Sequence, residues 1–172
     1  MALEKLKKGR VFLLELPQES YANSVSNVLK QLLERFNAIC YITTNKSATV
    51  LKRDFSENSF DLRRFTIIDA ISGDIPTDDK RVLYVSSPSN LFRLSLTITN
   101  VLQQNETDVF IFDSLFTLLS YNSRNLVVQF AQAMINKMQN ETVAGIFMVP
   151  QSKGNELVKD LSMFVDAIEV VK

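Results

Sequence analysis

The run Asp108-Val109-Phe110-Ile111-Phe112-Asp113 is apolar at every position between its two carboxylates. Successive side chains of a strand point to opposite faces, so such a run is a strand only where both faces are covered. That is the situation of a central strand in a parallel sheet with helices on either side. Residues 10–16 (RVFLLEL) and 144–149 (AGIFMV) have the same character, and 38–43 and 65–69 supply two further runs. Between them apolar residues recur at helical spacing. In 24–36 they are Val25, Val28, Leu29, Leu32, Leu33 and Phe36; in 124–140 they are Leu126, Val127, Phe130, Ala131, Met134 and Met138, all expected to face inward. The alternation predicts an α/β fold, a doubly wound, mostly parallel sheet with helices on both faces, built as one domain of 172 residues.

The remaining segments complete this plan. Residues 46–55 read as a short helix, 72–80 as a polar surface loop, and 82–85 as a short strand at the sheet edge. Ser86-Ser87-Pro88 has the residue types of a helix start, and the helix is expected to run through Leu91, Leu94, Ile98 and Val101 to Gln104. A helix from Asn155 and a strand over 164–171 close the fold.

Composition removes whole classes of chemistry. The chain has no histidine, which excludes Ser-His-Asp and Cys-His catalysis and histidine-ligated zinc. Cys40 is the only cysteine, so no intrachain disulfide forms, and its apolar surroundings mark it as a small buried hydrophobe. No calcium-binding loop pattern is present, and no metal is expected. Nineteen basic residues balance nineteen acidic ones, which argues against nucleic acid or an anionic membrane as partner. The basic run Lys5, Lys7, Lys8 and Arg10 reads as solvated charge. No apolar run approaches the roughly 20 residues that span a bilayer, and no signal-peptide core opens the chain, so a cytoplasmic location is expected.

The turn after the first strand, Pro17-Gln18-Glu19-Ser20-Tyr21-Ala22-Asn23-Ser24, occupies the place where a P-loop would read G-x-x-x-x-G-K-[ST]. With that turn, the strand ending Asp113-Ser114-Leu115, and a closing Phe164-Val165-Asp166-Ala167-Ile168, the chain resembles the KaiC-like branch of the RecA-type P-loop ATPases over nearly its whole length. The resemblance implies a RecA-like sheet in which Asp113 stands at the Walker B carboxylate and Ser24 at the magnesium-binding hydroxyl. Pro17 and Ala22 stand where glycines belong and Asn23 stands where the lysine belongs. The residues after the second strand, Thr43-Thr44-Asn45-Lys46, carry none of the family's glutamates. Phosphoryl transfer rests on positioning and charge stabilisation, so these losses together imply a pseudo-ATPase that neither hydrolyses nor binds nucleotide. What is left of a cofactor site is vestigial: Asn23, Ser24, Asp113 and Ser114.

Each marker has a plainer reading beside the functional one. Asp113 supports a metal ion, or it caps the sheet by bonding a neighbouring loop. Asp69 and Asp74 pair with Glu15 or Glu19, or they are solvated loop charge, the reading preferred here. Tyr21 fills the space of the lost phosphates, or its ring lies in solvent. A RecA-like domain without its nucleotide site retains sheet edges and apolar helix faces, as in the Elongator accessory subunits, so the expectation is a non-catalytic interaction or regulatory subunit. Its partner is a protein, either a further copy or an active ATPase of the same fold. The alternative is a small-ligand or nucleotide sensor using a crevice lined by Asn23, Ser24, Thr43, Thr44, Asn45, Asp113 and Ser114.

Overall fold

Seven strands form one sheet in a computed structural model that describes residues 2–153 and 155–172. They are β1 (Val11–Leu16), β2 (Ile39–Thr43), β3 (Phe65–Asp69), β4 (Val82–Tyr84), β5 (Val109–Asp113), β6 (Ala144–Pro150) and β7 (Ala167–Val170). Their spatial order is β4-β3-β2-β5-β6-β1-β7. Every neighbouring pair is parallel, so the sheet is entirely rather than mostly so. The helices are α1 (Tyr21–Leu33), α2 (Ala48–Glu57), α3 (Leu91–Gln103), α4 (Leu115–Leu118), α5 (Arg124–Asn140) and α6 (Asn155–Leu161).

The alternation along each strand divides the core into two layers. Phe110 and Phe112 of β5 join Leu94, Ile98, Phe130 and Met134 under α3 and α5, whereas Val109 and Ile111 join Val28, Leu29, Leu32 and Leu51 under α1 and α2. Phe112 stacks on Phe147 at 5.7 Å between ring centroids and meets the edge of Phe130 at the same distance. Cys40 is fully buried, as an apolar filler should be. Each fully buried Leu, Ile or Phe contributes about 1.5–3 kcal/mol relative to exposure, so both layers hold the sheet.

Several details differ from the sequence expectation. Helix α1 begins at Tyr21 rather than Ser24, because nothing in Tyr21-Ala22-Asn23 breaks a helix, and the preceding turn shrinks to residues 17–20. Helix α3 begins at Leu91, capped by the Asn90 side chain, which accepts from Arg93 N–H at 3.0 Å. Ser87, expected at that helix start, instead accepts from Ser89 N–H one turn earlier. Leu126 is 51% exposed, since it sits in the first turn of α5 beyond the sheet's cover. Strand β7 is shorter than expected, starting only at Ala167.

The N-terminal segment is also more than a charged tail. A 3-10 turn over Ala2–Lys5 buries Leu3, and Leu6 after it is buried too. The Arg35 guanidinium donates to Leu3 C=O at 2.5 Å and Leu6 C=O at 2.6 Å, holding the segment against the end of α1. Lys5, Lys7 and Lys8 remain outside, as expected.

Candidate functional site

Connections from β2 and β5 leave in opposite directions, one towards β3 and the other towards β6. In doubly wound sheets that divergence opens a crevice beyond the carboxyl ends of the strands. Thr43 and Asp113 end the two strands in paired register, so Thr44-Asn45 and Ser114, the residue before α4, form the two lips.

Asp113 lies at the bottom, 5% exposed. Its Oδ1 accepts from Tyr21 Oη at 2.7 Å and from Asn45 Nδ2 at 2.8 Å, and its Oδ2 accepts from Tyr41 Oη at 2.5 Å. Burial away from water pushes the Asp113 carboxyl above the ordinary 3.8, opposed by the hydrogen bonds from Tyr41, Tyr21 and Asn45 and by the charge of Lys46. Burial and the neighbouring carboxylate raise the phenols of Tyr21 and Tyr41, which therefore stay protonated as donors. The three donors come from α1, β2 and the loop after β2, so a single carboxylate ties three elements together.

The lips are bonded as well. Thr44 Oγ1 donates to Ser114 C=O at 2.9 Å, and Ser114 N–H returns a bond to Thr44 Oγ1 at 3.1 Å. Thr117 Oγ1 donates to Asn45 Oδ1 at 2.5 Å, which fixes the amide so that Nδ2 faces Asp113. The Asp113–Ser114 peptide is cis.

The four residues singled out in the sequence are only partly brought together. Asp113 and Asn23 both line a cavity of about 320 Å³ between α1 and α2, but Asn23 is exposed, and no hydrogen bond joins it to Asp113. Ser24 is buried on the inner side of α1, its N–H donating to Ser20 C=O, and it forms no bond to Asp113 or Ser114. Ser114 lines a second cavity of about 230 Å³. Tyr21 and Asn45 line both cavities. The Tyr21 hydroxyl donates to Asp113 within the crevice, so the reading that puts the ring in solvent does not hold. Tyr41 went unrecognised because it lies in an apolar strand run. A tyrosine there is itself a signal, since a buried phenol needs a hydrogen-bond partner.

Asp69 corrects an expectation. It is fully buried and accepts from Ala48 N–H at 2.8 Å, Ile71 and Ser72 N–H at 2.9 Å, and Ser72 Oγ at 2.6 Å. It fastens the start of α2 to the end of β3, because a carboxylate buried there must meet its hydrogen-bonding demand locally. Asp74 is exposed, as expected of loop charge. Among the described residues no group of three or more His, Cys, Asp or Glu is placed to hold a metal, and no helix is long and apolar enough to cross a membrane.

The fold these elements define is the α/β fold of KaiC-like, RecA-type proteins. The KaiC-like protein PH0186 from the hyperthermophilic archaeon Pyrococcus horikoshii OT3 superposes with a TM-score of 0.62 over 83% of this chain, at 14% identity. The matched region is 63% of that protein, so this chain spans less than two thirds of its length. By sequence, the chain belongs to a family of unknown function, DUF7504, matched over residues 19–170. No curated protein matches it.

Proposed function

We propose that the chain is a non-catalytic, RecA-like interaction or regulatory subunit whose P-loop has degenerated. The observation that carries this reading is the state of Asp113. In a working site of this fold the carboxylate would support hydrated magnesium beside a phosphate cradle. Here both its oxygens already accept from Tyr21, Tyr41 and Asn45. The turn before α1 has only four residues, 17–20, and holds no glycine. Proline at position 17 removes a donor and Ala22 adds a methyl group, so the backbone is poorly made to close around phosphate. The donor set does not fit a magnesium nucleotide, and no catalytic step is assigned. Partners under this reading are a protein of the same fold or a further copy.

The melting temperature with millimolar Mg-ATP, ADP or GTP tests the reading, since a ligand bound only by the folded state must raise it. No rise is expected. An upward shift of several degrees that is lost in Asp113→Asn would overturn the proposal.

A second reading, a small-ligand sensor, is favoured by the 320 Å³ cavity, which has an aromatic floor of Tyr41 and Phe55 and polar walls from Asn45, Lys46 and Asp54. The Lys46–Asp54 ion pair at 2.8 Å spans part of that wall and occupies its strongest charges. For this reason the sensor stands second.

A further inference from the structure

Asp69 and Asp113 are the buried carboxylates among the described residues, and they are satisfied differently. A carboxylate offers about four acceptor positions, two on each oxygen. Asp69 fills all of them: Ile71 and Ser72 N–H reach Oδ1, while Ala48 N–H and Ser72 Oγ reach Oδ2. One of those donors opens α2, whose positive amino end offsets the charge. Asp113 is one donor short. Its Oδ1 accepts twice and its Oδ2 once, from two phenols and an amide, and none of the three carries charge. Among the described residues it forms no ion pair.

A buried charge is ordinarily matched by an opposite one, and what Asp113 has beside it instead is space. It lines the cavity of about 320 Å³ between α1 and α2, which Asp69 does not. That volume lies at the small end of the roughly 300–1,000 Å³ of small-molecule sites. Buried Val25, Leu51, Phe55 and Tyr41 give it an apolar floor. The charged groups in its lining are Lys46, Asp54, Glu57 and Asp113. Lys46 Nζ is held by Asp54 Oδ2 at 2.8 Å, and Arg53 stands 3.7 Å from the other Asp54 oxygen. Lys46 acts on Asp113 only from a distance, so Asp113 and the exposed Glu57 are left without a cation in contact.

We infer that this cavity binds a small primary amine, its ammonium group on the open position of Asp113 Oδ2 and its apolar part on Phe55, Leu51 and Val25. The ammonium brings the missing counter-charge and a charge-assisted hydrogen bond. The oxygens of Tyr21 and Tyr41, which donate to Asp113, are free to accept its two other protons, and aromatic rings beside a cation add to its attraction. An anion of the same shape would meet two unpaired carboxylates. Magnesium is not served by one vacant position, since it demands six ligands in near-octahedral array. This inference rests on the small-ligand reading and names the class of ligand.

Phenethylamine is the probe, with 2-phenylethanol and phenylacetate as its neutral and anionic counterparts, each titrated into the native chain while the Asn45 side-chain amide is followed by NMR. The amine should bind at least about tenfold more tightly than either counterpart, a difference of about 1.4 kcal/mol. Asp113→Asn keeps an acceptor but removes the charge, and should bring the amine down to the affinity of the alcohol. Ser26→Leu fills the cavity from the α1 side without touching Asp113, and should also weaken the amine. Equal binding of amine and alcohol, amine binding that survives Ser26→Leu, or a larger loss in Glu57→Gln than in Asp113→Asn would each overturn the proposal. Preference for the alcohol or for phenylacetate, abolished by Ser26→Leu, would overturn the amine and keep the small-ligand reading. Silence from all three at millimolar concentration would overturn both.

Discussion

Asp113 accepts three hydrogen bonds with almost no access to water, so its replacements should separate by what they leave unpaired. Asp113→Leu orphans two phenols and an amide, each costing about 1–3 kcal/mol when left unsatisfied in the interior, and should lose several kcal/mol in a denaturant titration. Asp113→Asn retains an acceptor for Tyr21 and Asn45 and should lose much less. The two also differ from the native chain in pH dependence. The native carboxyl holds its proton to higher pH than the unfolded one, so between 3.8 and its raised folded value the folded state binds more protons. Asp113's contribution to stability is therefore greatest at low pH, falls as pH rises through that window, and is constant above it. Thermal melts of native and Asp113→Asn protein between pH 4 and pH 7 should show the balance moving towards the asparagine as pH rises, then levelling. The carboxylate itself was legible in the sequence as the polar end of an apolar strand. Its three donors lie 92, 72 and 68 residues away, and nothing local to any of them announces the meeting.

Strands buried on both faces left a clear sequence pattern, and β3 and β5 appear at or within a residue of where the pattern puts them. Helix starts were harder, because several neighbouring side chains can each cap. Ser86, Ser87 and Asn90 all have the chemistry, and only packing selects Asn90. Asp69 was misread for a related reason: a carboxylate at a strand end next to a loop resembles solvated charge until the helix that it fastens folds over it. The N-terminal 3-10 turn is too short to leave a periodic signal, and its order depends on Arg35 from another element. Arg35→Ala should cost about 1.5–3 kcal/mol, the range for a hydrogen bond made by a charged group. It should also make residues 2–10 the first site of limited proteolysis, with the rest of the sheet still resistant. Loss of stability without new cleavage there would contradict the clamp.

Across the whole molecule the sheet is closed by sequence-distant strands. Strand β1 pairs only with β6 and β7, Val11 lying opposite Gly145 and Phe12 opposite both Ile146 and Ala167. Asp166, just before β7, adds a carboxylate that accepts from Val11 N–H at 2.8 Å. Deleting residues 166–172 should therefore turn β1 into an open edge of six residues, five of them buried in the native sheet. Light scattering of the shortened chain is expected to show aggregation well below the native melting temperature. A monodisperse, equally stable protein would mean that β7 is dispensable. The same arrangement bears on how the chain is born. Strand β1 has no neighbour in the sheet until residues beyond 143 have been made, and long-range parallel pairing is slow to form. Until β6 and β7 have been made, its phenylalanine and leucines have no partner in the sheet, and the partly made domain is exposed to aggregation.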